Sequence, residues 1–418
     1  MLLELSDHYN MRLASVTWSF RENISPSALS VTLDGKHTAV GTKNGLIFLN
    51  SLGRLLWFNK KIRKINDVSV STRSGKIAVG SSQKVLYLVN LKGESLWHRE
   101  LDSSVLATSI NSRGNLIAVG TDEGKLMLYD GKGKKLWEVH LSNSDFSVNS
   151  VNITSDGEFI VAGTDYSHLY LYDIKGNVLW SKETGSEVLK TCISSNGDYL
   201  GYLTSDRKFS FCVKNSRVLW ENTFDSQPLW IDMAQTAHFV SVGESSRKVN
   251  LYNKSGRKVW GFANETSRLG VMASGGGNVI LGNKGGVLNY SLEPYLKRLL
   301  SGCKKGIIKA SDENLDTTDA KKMYSLASKN FSDANYLQFL TNIQKARNLA
   351  REARVIESPE SPSERRLERN EYEEAPNSFQ MDTEDEMMSK LVQLAEMREK
   401  GILSEEEFVM AKTKLLRL

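Results

Sequence analysis

The residues best suited to chemistry are few and widely spaced. Six histidines, His8, His37, His98, His140, His168 and His238, show no H-x-x-H or H-E-x-x-H spacing, so no metal site is predicted. Cys192, Cys212 and Cys303 are too few for a disulfide framework or a Cys-rich zinc site. They suit a reducing cytoplasm, with buried packing as the expectation for Cys192 and Cys212. No G-x-x-x-x-G-K-[ST] or G-x-S-x-G occurs, and the Gly275-Gly276-Gly277 run reads as a turn without a following helix. No catalytic residue, metal or cofactor is therefore expected.

Basic residues offer another kind of site. Seven loops, GTKNG, GSSQK, TDEGK, TDYSH, TSDRK, ESSRK and NKGG, each bring a cation or a titratable base. These are Lys43, Lys84, Lys125, His168, Arg207 with Lys208, Arg247 with Lys248, and Lys284. The segment after Trp57 adds Lys60, Lys61, Arg63 and Lys64. On one face of a closed fold these would form a basic ring for an anionic partner. Turns expected on the opposite face also carry cations, among them Arg54, Lys132, Lys254 and Arg257, so lysine at turn tips is not selective. Base-specific nucleic-acid reading is the weaker alternative, since no recognition motif or RNP-type aromatic pattern occurs.

The elements that must carry these loops follow from a repeat. Trp18, Trp57, Trp97, Trp137, Trp180, Trp220 and Trp260 recur at intervals of 39, 40, 40, 43, 40 and 40 residues, with Trp230 outside the series. A period near 40 matches a four-stranded propeller blade. A turn and a short apolar strand precede each Trp, as in LKGESLW and IKGNVLW. A small-residue strand such as AVGT lies earlier, and segments such as LIFL and LYLYD lie between. Each unit is then strand A, turn, B, loop, C, turn, and D ending at the Trp. Seven A–B–C sets begin near 28, 66, 105, 148, 188, 228 and 268. The first D strand (15–20) precedes all of them, and the last set lacks its own, so the N-terminal strand should complete the seventh blade and leave no open edge. The indoles should fill the wedges between blades, stabilising by about 2–3 kcal/mol each. The inward strand-A stretches read as small, apolar or hydroxyl residues, with Asp232 the lone acid.

Over residues of about 10–290 the G-x-x-L-W blade endings (GKKLW, GNVLW) resemble the WD-repeat and pyrroloquinoline-quinone-like propellers, and the quinone type most. The resemblance implies a propeller. The WD dipeptide and paired Gly-His of WD repeats are absent, and so are the adjacent cysteines that quinone dehydrogenases share.

Beyond the ring, 291–310 should begin with a short helix, and 319–354 reads as helical with Ser332 as a cap. Its apolar positions include Leu340, Ile343 and Leu349, interspersed with Lys345, Arg347 and Arg351. Residues 355–384 are acidic, hold three of six prolines, and read as a disordered linker. Lys+Arg minus Asp+Glu is +7 for 1–290, +5 for 291–354 and −7 for 355–418, which sums to the formal +5. Residues 385–418 pattern as a two-helix hairpin with Leu391 and Leu394 on the first helix and a stop at Gly401. Ile402 follows, and Phe408, Leu415 and Leu416 line the second helix. This stretch resembles the short C-terminal domain family, SHOCT, which implies a prokaryotic protein whose hairpin assembles or attaches it.

The expectation is an all-β, seven-bladed propeller (1–292), a helical extension (293–354), the linker, and the hairpin. At 418 residues with 40% apolar and 25% charged content, no run of about 18 apolar residues spans a membrane. The start, MLLELSDHYNMR, lacks the basic segment of a secretion signal. The reading is a cytoplasmic, non-catalytic scaffold with protein partners and self-association through the hairpin. A ligand-binding or enzymatic channel is the alternative.

Overall fold

A computed structural model describes residues 15–353, apart from 23, 33–34, 72, 142–145, 264–268, 273–277, 284 and 334–335. Two units divide the chain, Met1–Ile356 and Glu357–Leu418, and the expected linker and hairpin lie outside the described residues.

Seven four-stranded antiparallel sheets form the ring. Six are consecutive, from Pro26–Val31 at the start of blade one to Lys258–Ala263 at the end of blade six. In the seventh, the N-terminal strand Ser15–Phe20 pairs with Gly286–Ser291, matching Trp18 to Asn289 and Phe20 to Val287. At this seam the Thr17 hydroxyl donates to the Asn289 backbone carbonyl and accepts from the Asn289 side-chain amide. The ring thus closes through its two distant ends, as the offset registers require.

The AVGT motif has a packing cause. Strand B is fully buried in every one of its residues in blades one and two. A Cβ on Gly80 would run into Val105 of the next blade's inner strand, and one on Gly120 would stand 2.7 Å from Val148. Only glycine lets adjacent blades approach this closely. In blade five Leu203 takes the place, and it is buried too.

The tryptophans stand between blades and also lock turns: Trp97, Trp137 and Trp220 lie beside Tyr129, Tyr172 and Tyr252 of the following blade. Trp18 stands fourth in its strand D and the other six stand third, none at the strand's end, and six of the seven are half-buried. The indole lies over the C–D turn of the following blade. Trp57, Trp97, Trp137, Trp180 and Trp220 donate Nε1–H to the carbonyls of Leu91, Gly131, Ile174, Lys214 and Lys254, at 2.7–3.1 Å. A turn residue with positive φ, such as Gly93 at +83°, leaves room for the ring. The turn itself is set by an Asn or Asp: Asp130 accepts from the backbone N–H groups of Lys132 and Lys134, both at 2.8 Å.

Three helices follow: α1 (Glu293–Asp312), α2 (Thr318–Ser332) and α3 (Tyr336–Arg351). Helix α1 is longer than the short helix expected. Ser332 ends α2 instead of capping a helix, and its hydroxyl donates back to the Ser328 carbonyl at 3.2 Å. The extension docks on the ring: Leu296, Ile307, Phe339 and Ile343 join Trp230, Trp260 and Phe262 in one apolar core. Among the described residues no helix is long and apolar enough to cross a membrane.

Candidate functional site

Two places bring polar side chains together by symmetry: the channel along the ring axis and the face carrying the D–A and B–C loops. Strand A is the innermost strand, so one of its edges has no partner within its own sheet. Its neighbour's side chains supply one. Val70, Ile110 and Ile153 donate backbone N–H to the hydroxyls of Ser30, Ser69 and Ser109 of the preceding blade, at 3.0–3.1 Å. Thr191 does the same to Ser150 at 2.9 Å. The hydroxyls that look like a polar ligand lining are therefore largely engaged in stitching blade to blade.

What remains is a cavity of about 290 Å³ with three charged residues in its wall: Asp67, Lys190 and Asp232. Asp232 is not the lone acid of the inner strands. Strand A of blade two is Ile65–Val70, and Asp67 stands inside it, just before the small and apolar run VSVST (68–72). The missed signal was the register: Asp67 pairs with Gly80 as Ser150 pairs with Gly163. Asp67 Oδ2 accepts from the Thr108 backbone N–H at 2.7 Å, the stitch a serine makes elsewhere. Burial pushes its carboxyl above the usual carboxylate range, against the opposing pull of Lys190 from blade five. The two are not within 4 Å of each other.

No nucleophile is activated here. Cys192 and Cys212 are buried as expected, and burial holds the Cys192 thiol well above its usual range and pushes Cys212 up to about 12. No histidine lines the cavity, and among the described residues no His, Cys, Asp and Glu cluster could hold a metal.

On the loop face, D–A and B–C segments interlock. Lys64 N–H donates to the Lys43 carbonyl at 2.9 Å, and Ser82 N–H to the Lys64 carbonyl at 3.0 Å. This seats Lys60, Lys61, Arg63 and Lys64 between the B–C tips that bear Lys43 and Lys84. All six side chains are exposed, and none has a carboxylate within 4 Å among the described residues. The other candidates are dispersed. Lys125 is half-buried and paired with Asp102 at 3.5 Å and Glu123 at 3.6 Å. Lys208 meets Asp206 at 3.8 Å, and Arg207 donates to the Asp225 carbonyl at 2.9 Å. His168 stacks on Tyr166, with ring centres 5.1 Å apart. Arg247 and Lys248 are exposed on blade six, and Lys284 lies outside the described residues. Loops of blades three to six also carry Asp122, Asp165 and Glu187. The face has a basic sector at blades one and two instead of an even ring.

Backbone conformation adds a detail. Lys84, Arg207 and Arg247 end their B–C turns at φ of 65°, 67° and 70°, where blade three has Gly124 at 70°. Long cations stand where glycine is the unstrained residue.

Comparison with known proteins agrees with the ring. Residues 44–233 match a family model of quinone-type repeats described as outer membrane protein assembly factor BamB. The β-propeller domain of Cps50 (Swd1) from Myceliophteria thermophila aligns with a TM-score of 0.59 at 13% identity, covering 66% of this chain and 99% of that one. The chain has the fold of the WD-repeat and quinone-like propellers. In total 1701 solved chains match, so shape alone selects no activity. No curated protein matches the sequence.

Proposed function

We propose that the protein is a non-catalytic, cytoplasmic interaction scaffold whose loop face holds an acidic partner protein. One observation carries the reading: six exposed cations, Lys43, Lys60, Lys61, Arg63, Lys64 and Lys84, occupy two neighbouring blades with no carboxylate within 4 Å among the described residues. Exposed charge of one sign on a rigid frame steers association and sets specificity. The matched family's printed description, an assembly factor, belongs to the same broad class. In this reading 1–292 is the binding ring, 293–354 a docked extension, 355–384 a tether, and 385–418 a self-association or attachment module. The tether would raise the effective concentration of whatever the two ends hold. Charge reversal at Lys60, Lys61, Arg63 and Lys64 is expected to abolish partner recovery in cross-linking mass spectrometry from native cells. Recovery at the wild-type level would remove this face from the proposal. Truncation of 385–418 is expected to lower the oligomeric state or release a partner.

A ligand-binding or enzymatic channel is the second reading, favoured by Asp67, Lys190 and Asp232 around one cavity. A small molecule retained through purification, seen by native mass spectrometry and lost in Lys190→Met, would transfer the proposal to the channel.

A further inference from the structure

A second cationic site lies away from both places, between the C–D turn of blade six and the helices docked beside it. The cavity there is about 770 Å³, within the range of small-molecule sites and larger than the channel. Arg257 reaches it from the turn, Lys258 from the strand that follows, Arg298 from α1 and Arg347 from α3, while Lys254 also lines it with its Nζ over the Tyr199 ring, 3.9 Å from the centre. Among the described residues no carboxylate lines it. Lys254, Arg257, Lys258 and Arg347 have none within 4 Å among the described residues. Elsewhere the same helix pairs its cations: Lys297 meets Glu293 at 2.8 Å and Lys309 meets Glu313 at 3.8 Å.

The site is held in place before any ligand arrives. Asn253 Oδ1 accepts from the backbone of Ser255 and Arg257 at 3.1 and 2.9 Å, which fixes the turn. Burial of Leu296, Leu340 and Ile343 fixes both helices against the ring. Phe239, Leu340 and Ile343 give the cavity an apolar floor. Burial pushes the Tyr295 hydroxyl up to about 12, against the opposing pull of Arg347, Arg257 and Arg298, so it stays a hydrogen-bond donor. Like charges lining one cavity repel, and an anion of several charges would relieve that repulsion. Guanidinium forks match phosphate oxygens two at a time.

We propose that this cavity binds a small anion bearing two or more phosphate groups, its non-phosphate part resting on the apolar floor. The phosphates could belong to a soluble molecule or to a lipid headgroup, and the test separates these. Full-length protein is titrated with inorganic tripolyphosphate by calorimetry. Binding at one site is expected, weakening steeply with salt and falling by about tenfold or more in R257Q/R347Q. The loop-face variant K60E/K61E should bind as wild type does. Absence of binding, equal binding by R257Q/R347Q, or loss in K60E/K61E alone would overturn the proposal. If the double variant melts early, R257Q on its exposed turn carries the same reading. Co-sedimentation with vesicles containing phosphatidylinositol bisphosphate, reversed by tripolyphosphate and lost in R257Q, assigns the phosphates to lipid. Tripolyphosphate binding without co-sedimentation assigns it to a soluble ligand. Binding of an acidic protein with no response to tripolyphosphate counts against the proposal.

Discussion

Trp137 and Trp260 hold the same place in the repeat and act differently. Trp137 is half-buried over the next blade's turn, donating to Ile174 at 2.9 Å. Trp260 has no such turn to cover, because the chain leaves blade seven for α1 and its D strand comes from the N-terminus. The extension covers it instead. It is 1% exposed, tilted against Phe262 with ring centres 4.8 Å apart, and its Nε1 has no partner among the described residues. A local motif can be copied along a chain, but what covers it depends on where the chain goes next.

The largest expected effect tests this contrast directly. Trp260→Ala should cost about 3–5 kcal/mol, since it empties a closed core shared by the ring and the helices. Trp137→Phe, which keeps a ring over the turn and removes one hydrogen bond, should cost about 1 kcal/mol. Chemical denaturation measures both, and equal losses would break the contrast.

Gly120→Ala lies between them in size. The added methyl would stand 2.7 Å from Val148, and a loss of about 1–3 kcal/mol is expected, with the same assay reading it.

Asp67 breaks the regular stitching in a way pH can detect. Its pKa in the folded protein is raised by burial, ahead of the opposing pull of Lys190. The protonated form's stabilisation is therefore present below the unfolded-state pKa and lost as pH rises through the folded one. Asp67→Asn keeps an acceptor for Thr108 and removes the charge. It should melt higher than wild type at neutral pH, with the gap closing in acid. A constant gap across pH would mean the carboxylate is not strained.

The smallest stability effect belongs to the loop tips. Arg247→Gly, at φ 70°, should change stability by less than about 1 kcal/mol, because relief of strain offsets added chain entropy. If the tip cations serve binding, the R207G/R247G pair loses partner affinity without losing stability.

The blade count, the closure by 15–20 and the buried cysteines were legible in the sequence because each depends on short-range, repeated patterns. Asp67 is hard to see in the sequence because the small and apolar run of its strand is VSVST (68–72), just after it, and Ser332 because the same hydroxyl that caps a helix start can bond back to a carbonyl at a helix end. The basic loops were legible as residues. Their division into an uncompensated sector and paired positions was not, since Asp102 reaches Lys125 only across a loop.

By itself, then, the sequence determined the wheel: a 40-residue period, alternating strands, glycines where blades touch, and two complementary ends. These follow from local conformational preference and from burying one strand face against the next. Tertiary structure alone decided which charges meet. Lys254 and Arg257 share a cavity with Arg298 and Arg347 although about 90 residues separate the outermost of them, because an apolar core drew the helices onto blade six. Electrostatic energy depends on distance through space, and folding sets that distance.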